Sequence, residues 1–160
     1  MEENKEKNFT DYRAEIEKNK VLGFVPGGNS MWPTLKNRGQ SVIVLPKTEK
    51  LKKYDVALYR RDNGVYVLHR VMEPTSFGYI MCGDSQFTLE KVKEENVFGV
   101  MTSFYRGKRC IEVTDPDYIK EIERWYGNPK RRKRKLNCFF FRQKVKGKLK
   151  AIIRRLKRNV

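Results

Sequence analysis

Histidine is the scarcest functional residue of the chain: His69 is the only one among 160 residues. The three cysteines, Cys82, Cys110 and Cys138, form no C-x-x-C pair. With one imidazole and scattered thiols, the usual ligands of a tetrahedral zinc site are too few, so neither a metal nor another cofactor is expected. An odd, dispersed set of cysteines also argues against a disulfide scaffold and fits a reducing compartment. Long apolar runs are missing too. A bilayer-crossing helix needs about 20 mostly apolar residues. The longest uncharged stretch, Val21 to Leu35, is shorter and is interrupted by Pro26, Gly27, Gly28 and Pro33. The N-terminus, Met1-Glu2-Glu3-Asn4-Lys5, lacks the apolar centre of a secretory signal. The expected location is the cytoplasm, with peripheral attachment to the inner face of the cell membrane.

That attachment is expected from a further absence, because no Asp or Glu occurs from Lys130 to the end, where 15 of the 36 Lys and Arg residues lie. The remaining 21 basic residues face all 19 acidic ones, so the body is nearly neutral and the tail carries most of the net charge of +17. Phe141, Val145, Leu149, Ile152, Ile153, Leu156 and Val160 recur at helical steps among these cations. A basic amphipathic helix of this kind lies on an anionic membrane surface, and Phe139, Phe140, Phe141, Leu149, Ile153 and Leu156 are the expected membrane contacts. Each Lys or Arg near such a surface contributes roughly 1 kcal/mol. Docking of the apolar stripe on the body, phosphate contacts with nucleic acid, and a disordered tail are the competing readings, and nucleic acid is less favoured than lipid. Gly147 costs the helix about 1 kcal/mol.

The body reads as mainly β. Steps of three and four at Phe9, Tyr12 and Ile16 predict a helix over 9–19. Residues 40–46, 55–60, 65–72, 78–82, 97–105 and 108–113 read as strands, rich in Val, Ile, Tyr and Phe. Asp62-Asn63-Gly64 is a hairpin signal. Asp115 and Pro116 open a short helix that Gly127-Asn128-Pro129 ends. The division predicted is a helical segment 1–20, a β domain 21–113, a short helix 114–128 and a basic amphipathic tail 129–160.

Ser30 stands in Gly27-Gly28-Asn29-Ser30-Met31-Trp32-Pro33-Thr34, and His69 in Val67-Leu68-His69-Arg70-Val71. A serine hydroxyl attacks a carbonyl only when a neighbour takes its proton, and histidine titrates in the range that suits that task. Asp84, in Gly83-Asp84-Ser85, is the candidate to orient the base, although Gly-Asp-Ser is also an ordinary capped turn. Gly27 and Gly28 give backbone room, and N–H groups near Ser30 can meet a developing oxyanion. Gly28, Asn29, Met31 and Trp32 are the expected oxyanion and substrate contacts.

The order Ser30-Met31-Trp32-Pro33-Thr34, Tyr54-Asp55-Val56-Ala57-Leu58-Tyr59, His69-Arg70-Val71, Gly83-Asp84-Ser85 and Val97-Phe98-Gly99-Val100 resembles the type I signal peptidases, in their Ser/His branch. The resemblance covers roughly residues 22 to 108. It implies the small antiparallel coiled-sheet, barrel-like domain that signal peptidases share with LexA-type repressors. It also implies Ser30 as nucleophile, His69 in place of the more common lysine base, Asp84 as the acidic residue of the Gly-Asp motif, and small residues before the scissile bond. Bacterial members often carry a hydroxyl residue two positions before the nucleophile, where this chain has Gly28. The expected activity is that of a serine endopeptidase cleaving a precursor or leader peptide. The alternative is a non-catalytic membrane- or nucleic-acid-binding adaptor acting through the basic tail. A LexA-like self-cleaving regulator is disfavoured, because too few residues precede the core for a helix-turn-helix and the base is His rather than Lys.

Overall fold

The computed structural model describes residues 11–36 and 39–156, with side chains through 150 and at Arg154. Phe9 and Val160, and the side chains of Ile152, Ile153 and Leu156, lie outside what is described, and so do the expectations that fall on them. Residues up to Tyr118 form one compact unit, and those from Ile119 a second.

The first unit is an eight-stranded, wholly antiparallel sheet: β1 (Leu22–Phe24), β2 (Val42–Pro46), β3 (Val56–Arg60), β4 (Tyr66–Pro74), β5 (Gly78–Cys82), β6 (Glu90–Lys93), β7 (Val97–Arg106) and β8 (Arg109–Glu112). The strand order is β1-β2-β7-β3-β4-β5-β6, with β8 paired to β7. The sheet is open, not closed into a barrel: β1 and β6 end it. Six strands match the segments rich in branched and aromatic residues. The two others, β1 and β6, are short and were not predicted, since Glu90-Lys91-Val92-Lys93 has one apolar residue and takes its register from β5.

Strand β3 lies between β7 and β4, so it is covered by neighbours along its length, and Val56, Ala57, Leu58 and Tyr59 are all buried. Tyr59, Ala57, Val71, Tyr79, Met81 and Val92 form one core cluster. Full burial of an aliphatic or aromatic side chain contributes about 1.5–3 kcal/mol. The register between β3 and β7 shifts between Leu58 and Tyr59, and such irregularities re-aim the side chains beside them. The Asp62-Asn63-Gly64 turn joins β3 to β4, with Gly64 at φ 83°.

Helix α1 (Tyr12–Asn19) is capped by Asp11, whose carboxylate accepts from the amides of Arg13 and Ala14. It buries Ile16 at Gly99 of β7: a Cβ there would stand 3.2 Å from Ile16 Cδ1 and 2.6 Å from Val44 Cγ1, so only glycine leaves the space. The chain enters helix α2 (Pro116–Tyr126) through Asp115, which accepts from the Asp117 amide at 2.8 Å. Tyr118, the last residue of this unit, stacks on Phe104 with ring centroids 5.3 Å apart.

In the second unit α2 continues and is followed by α3 (Pro129–Leu156), with Asn128 accepting from the Arg131 amide at 2.9 Å. Arg132 lies over the Tyr126 ring and Lys135 over Trp125, cation–π contacts that join the two helices. At about 100° per residue, Leu136, Phe139 and Phe140 leave one side of α3, while Val145 and Leu149 leave the other with Phe141 beside them. Of the expected membrane contacts, Phe141 and Leu149 lie with Val145 on an exposed strip, and Phe139 and Phe140 leave another side of the helix. Among the described residues no helix is long and apolar enough to cross a membrane.

Candidate active site

The loop after β1 carries Ser30, and strand β4 carries His69; both line one cleft of about 340 Å³. Gly28 and Met31 line it as well, with Leu58, Leu68 and Val67 supplying apolar wall and Arg61 a charge. Asn29 and Trp32 are not among the lining residues. The Asn29 carbonyl instead accepts from the Trp32 amide at 3.0 Å and from Ser85 Oγ at 2.8 Å, which makes it a loop-closing group. Gly28 has φ 78°, a left-handed conformation that a residue with a Cβ pays strain to adopt. Open space surrounds it, so backbone conformation selects glycine there.

Behind Ser30 lies the Gly83-Asp84-Ser85 segment. The Ser30 carbonyl accepts from the Ser85 amide at 2.8 Å and from Ser85 Oγ at 3.1 Å. A Cβ on Gly83 would stand 2.7 Å from that same carbonyl oxygen, so the close approach requires glycine. The two distant sequence motifs thus meet, and the second fixes the backbone of the first.

Asp84 has a different set of partners from the one expected. Fully buried, it receives Arg70 Nε on Oδ1 and Arg70 Nη2 on Oδ2, both at 2.7 Å, and the Thr34 hydroxyl on Oδ2. Arg70, also fully buried, donates further to the Tyr54 carbonyl at 2.7 Å and lies 3.2 Å from the Tyr118 hydroxyl. A bidentate guanidinium–carboxylate pair is the strongest arrangement of these charges, and burial without it would be costly. Asp84 makes no hydrogen bond to His69 and reaches it only through its charge. The reason is strand alternation: His69 and Arg70 are neighbours on β4, so their side chains leave opposite faces.

His69 Nδ1 lies 3.2 Å from the Tyr59 hydroxyl. Pairing of Ala57 with His69 across β3 and β4 sets Tyr59, two residues on, diagonally beside the imidazole on one face. The Tyr59 hydroxyl donates to Glu90 Oε2 at 2.8 Å, and Arg61 grips both oxygens of Glu90 at 2.7 Å. Sequence reasoning does not single out Glu90, which lies in a charged segment with one apolar residue, Val92.

Burial sets the electrostatics. Desolvation lowers the His69 pKa from 6.5 to about 4, against the opposing pull of the Glu90 charge, so the imidazole is neutral at pH 7. The hydrogen bonds from Arg61 hold Glu90 below the usual carboxylate range. Burial pushes the Tyr59 hydroxyl far above its ordinary value, and it stays protonated. No hydrogen bond joins Ser30 to His69, and among the described residues the Ser30 and Met31 amides have no hydrogen-bond partner. The cleft is thus lined by a serine and by an imidazole that is neutral at pH 7, groups that acyl transfer can use. Among the described residues no group of three His, Cys, Asp or Glu side chains is placed to hold a metal ion. Comparison with known protein families, with curated proteins and with solved structures finds no match to this chain.

Proposed function

We propose that the chain is a serine endopeptidase of the signal peptidase kind, with Ser30 as nucleophile and His69 as general base, on a sheet of the coiled LexA/signal peptidase type. The observation that carries this reading is the shared cleft of Ser30 and a neutral His69, with the Ser30 backbone fixed by the Gly83-Asp84-Ser85 segment. The motif order read from the sequence adds to it.

A substrate peptide enters extended, beside the Ser30 loop, where main-chain hydrogen bonds set its register. Ser30 Oγ attacks the scissile carbonyl carbon while His69 takes its proton, and the carbonyl oxygen becomes an oxyanion facing the Ser30 and Met31 amides. The C–N bond breaks as His69 returns the proton to the leaving amine. Water, deprotonated by the same imidazole, then hydrolyses the acyl-serine. The resemblance implies small residues, often alanine, before the cut.

The tail supports a second element of the proposal: peripheral attachment to an anionic membrane surface. Phe141, Val145 and Leu149 are exposed at 68%, 48% and 56% on one strip of a helix that carries only basic charge from Lys130 onward. The same strip favours the adaptor reading if the cleft is inert, with nucleic acid as the less favoured ligand.

Turnover of leader-like peptides by wild type, Ser30→Ala and His69→Ala tests the peptidase, with anionic vesicles present and absent. Loss of cleavage in both variants is the expected result. Wild-type cleavage retained in Ser30→Ala overturns the assignment, and a folded wild type that cleaves nothing shifts the reading to the adaptor.

A further inference from the structure

We propose that Tyr59 and Glu90, and not Asp84, form the orienting arm of the site: they hold His69 as its Nδ1–H tautomer, so that Nε2 carries the lone pair. The inference rests on the peptidase reading for its functional meaning, but its physical content stands on hydrogen bonding alone.

The argument follows the protons. Glu90 is gripped through both oxygens by Arg61, with Nε and Nη2 each at 2.7 Å, an arrangement that requires an ionised carboxylate. An ionised carboxylate is only an acceptor. The Tyr59 hydroxyl, 2.8 Å from Glu90 Oε2, must therefore spend its one proton there, since two lone pairs at that distance would repel. What remains on Tyr59 Oη is acceptor capacity, and the group 3.2 Å away on the other side is His69 Nδ1. Nδ1 must be the protonated nitrogen. Burial keeps the ring neutral, so Nε2 carries the free lone pair.

Charge completes the arrangement. When Nε2 takes up the serine proton, the imidazolium is stabilised by the nearby Glu90 carboxylate, relayed through a hydroxyl, and by the charge of Asp84. Arg61 opposes this, which moderates the effect. Tyr59 and Glu90 are positioning residues: they act through His69 and do not touch substrate. The groups that act on the ring are Tyr59 on β3 by hydrogen bond, and Arg61, Glu90 on β6 and Asp84 after β5 through their charge.

Because His69 is the only histidine, ¹⁵N NMR of the full chain reads its tautomer without assignment ambiguity. The expected result at pH 7 is a protonated Nδ1 and an unprotonated Nε2 in the wild type, with that preference lost in Tyr59→Phe and weakened in Glu90→Gln. Peptide turnover in Tyr59→Phe should fall by about 10- to 100-fold, within the roughly 10²- to 10⁴-fold that general-base catalysis is worth. A wild-type ring protonated on Nε2, or ¹⁵N shifts unchanged in a folded Tyr59→Phe variant, overturns the relay. The tautomer pattern with no peptide cleaved supports the relay and counts against the peptidase reading alone.

Discussion

Arg70 and Asp84 are joined by two hydrogen bonds of 2.7 Å in a fully buried pair, while His69, one residue before Arg70, is held by Tyr59. The carboxylate expected to serve the base therefore secures the scaffold instead, by tying the Thr34 end of the nucleophile loop to β4 and β5. Glu90, on the edge strand β6, is linked to His69 through the Tyr59 hydroxyl.

Removing one member of the buried pair leaves the other charge uncompensated. Asp84→Ala should destabilise the fold by about 3–5 kcal/mol, read as a lower urea midpoint. A stability close to wild type, with activity lost, would instead restore Asp84 to a direct catalytic part.

Gly83→Ala tests how the second motif controls the first. The new Cβ would press on the Ser30 carbonyl, 2.7 Å away, and force the nucleophile loop to shift. Overpacking of this kind costs about 1–3 kcal/mol. We expect kcat for leader peptides to fall more than KM changes, and unchanged kinetics would show that the loop position is not set there.

The pH dependence follows from His69. Its folded pKa, about 4, lies below the ordinary 6.5, so below pH 6.5 the unfolded chain binds the proton more readily than the folded one. Stability from this group is complete above pH 6.5 and declines as pH falls toward 4, by up to roughly 3 kcal/mol. Glu90, held low by Arg61, adds loss in the same direction at lower pH. The acid limb of kcat/KM should centre near pH 4, and a limb near 6.5 would show a base that is not desolvated.

For the tail, Phe141→Ser and Leu149→Ser should each weaken binding to vesicles of acidic lipid by about tenfold or more, given what burial of one such side chain contributes. Raising the salt should weaken it further, because the cations are screened. Co-sedimentation measures both. Equal binding to neutral vesicles, or none to acidic vesicles with tight binding to RNA, would reassign the strip.

Much of the fold was legible because its elements obey simple periods. Six strands follow from branched and aromatic residues alternating between turn signals, helix α1 from the steps of Tyr12 and Ile16, and α2 from Asp115 placed to cap it. Strands β1 and β6 were not, because three or four residues are too few to show a period of their own. In the tail, Phe141, Val145 and Leu149 keep the helical steps of the stripe read from the sequence, while Phe139 and Phe140, named as further membrane contacts, leave another side of α3.

By itself the sequence determined the scarce chemistry, one histidine and a serine in a glycine-rich loop, and the division between a neutral body and a cationic tail. Those depend only on which residues are present and how they are spaced. Tertiary structure decided which carboxylate is linked to His69, since the linear reading points to Asp84 and does not single out Glu90. Alternation on β4 sends residues 69 and 70 to opposite faces, and pairing of β3 with β4 sets Tyr59 beside the ring. Asp84 thereby meets Arg70, and Glu90 meets His69 through a hydroxyl.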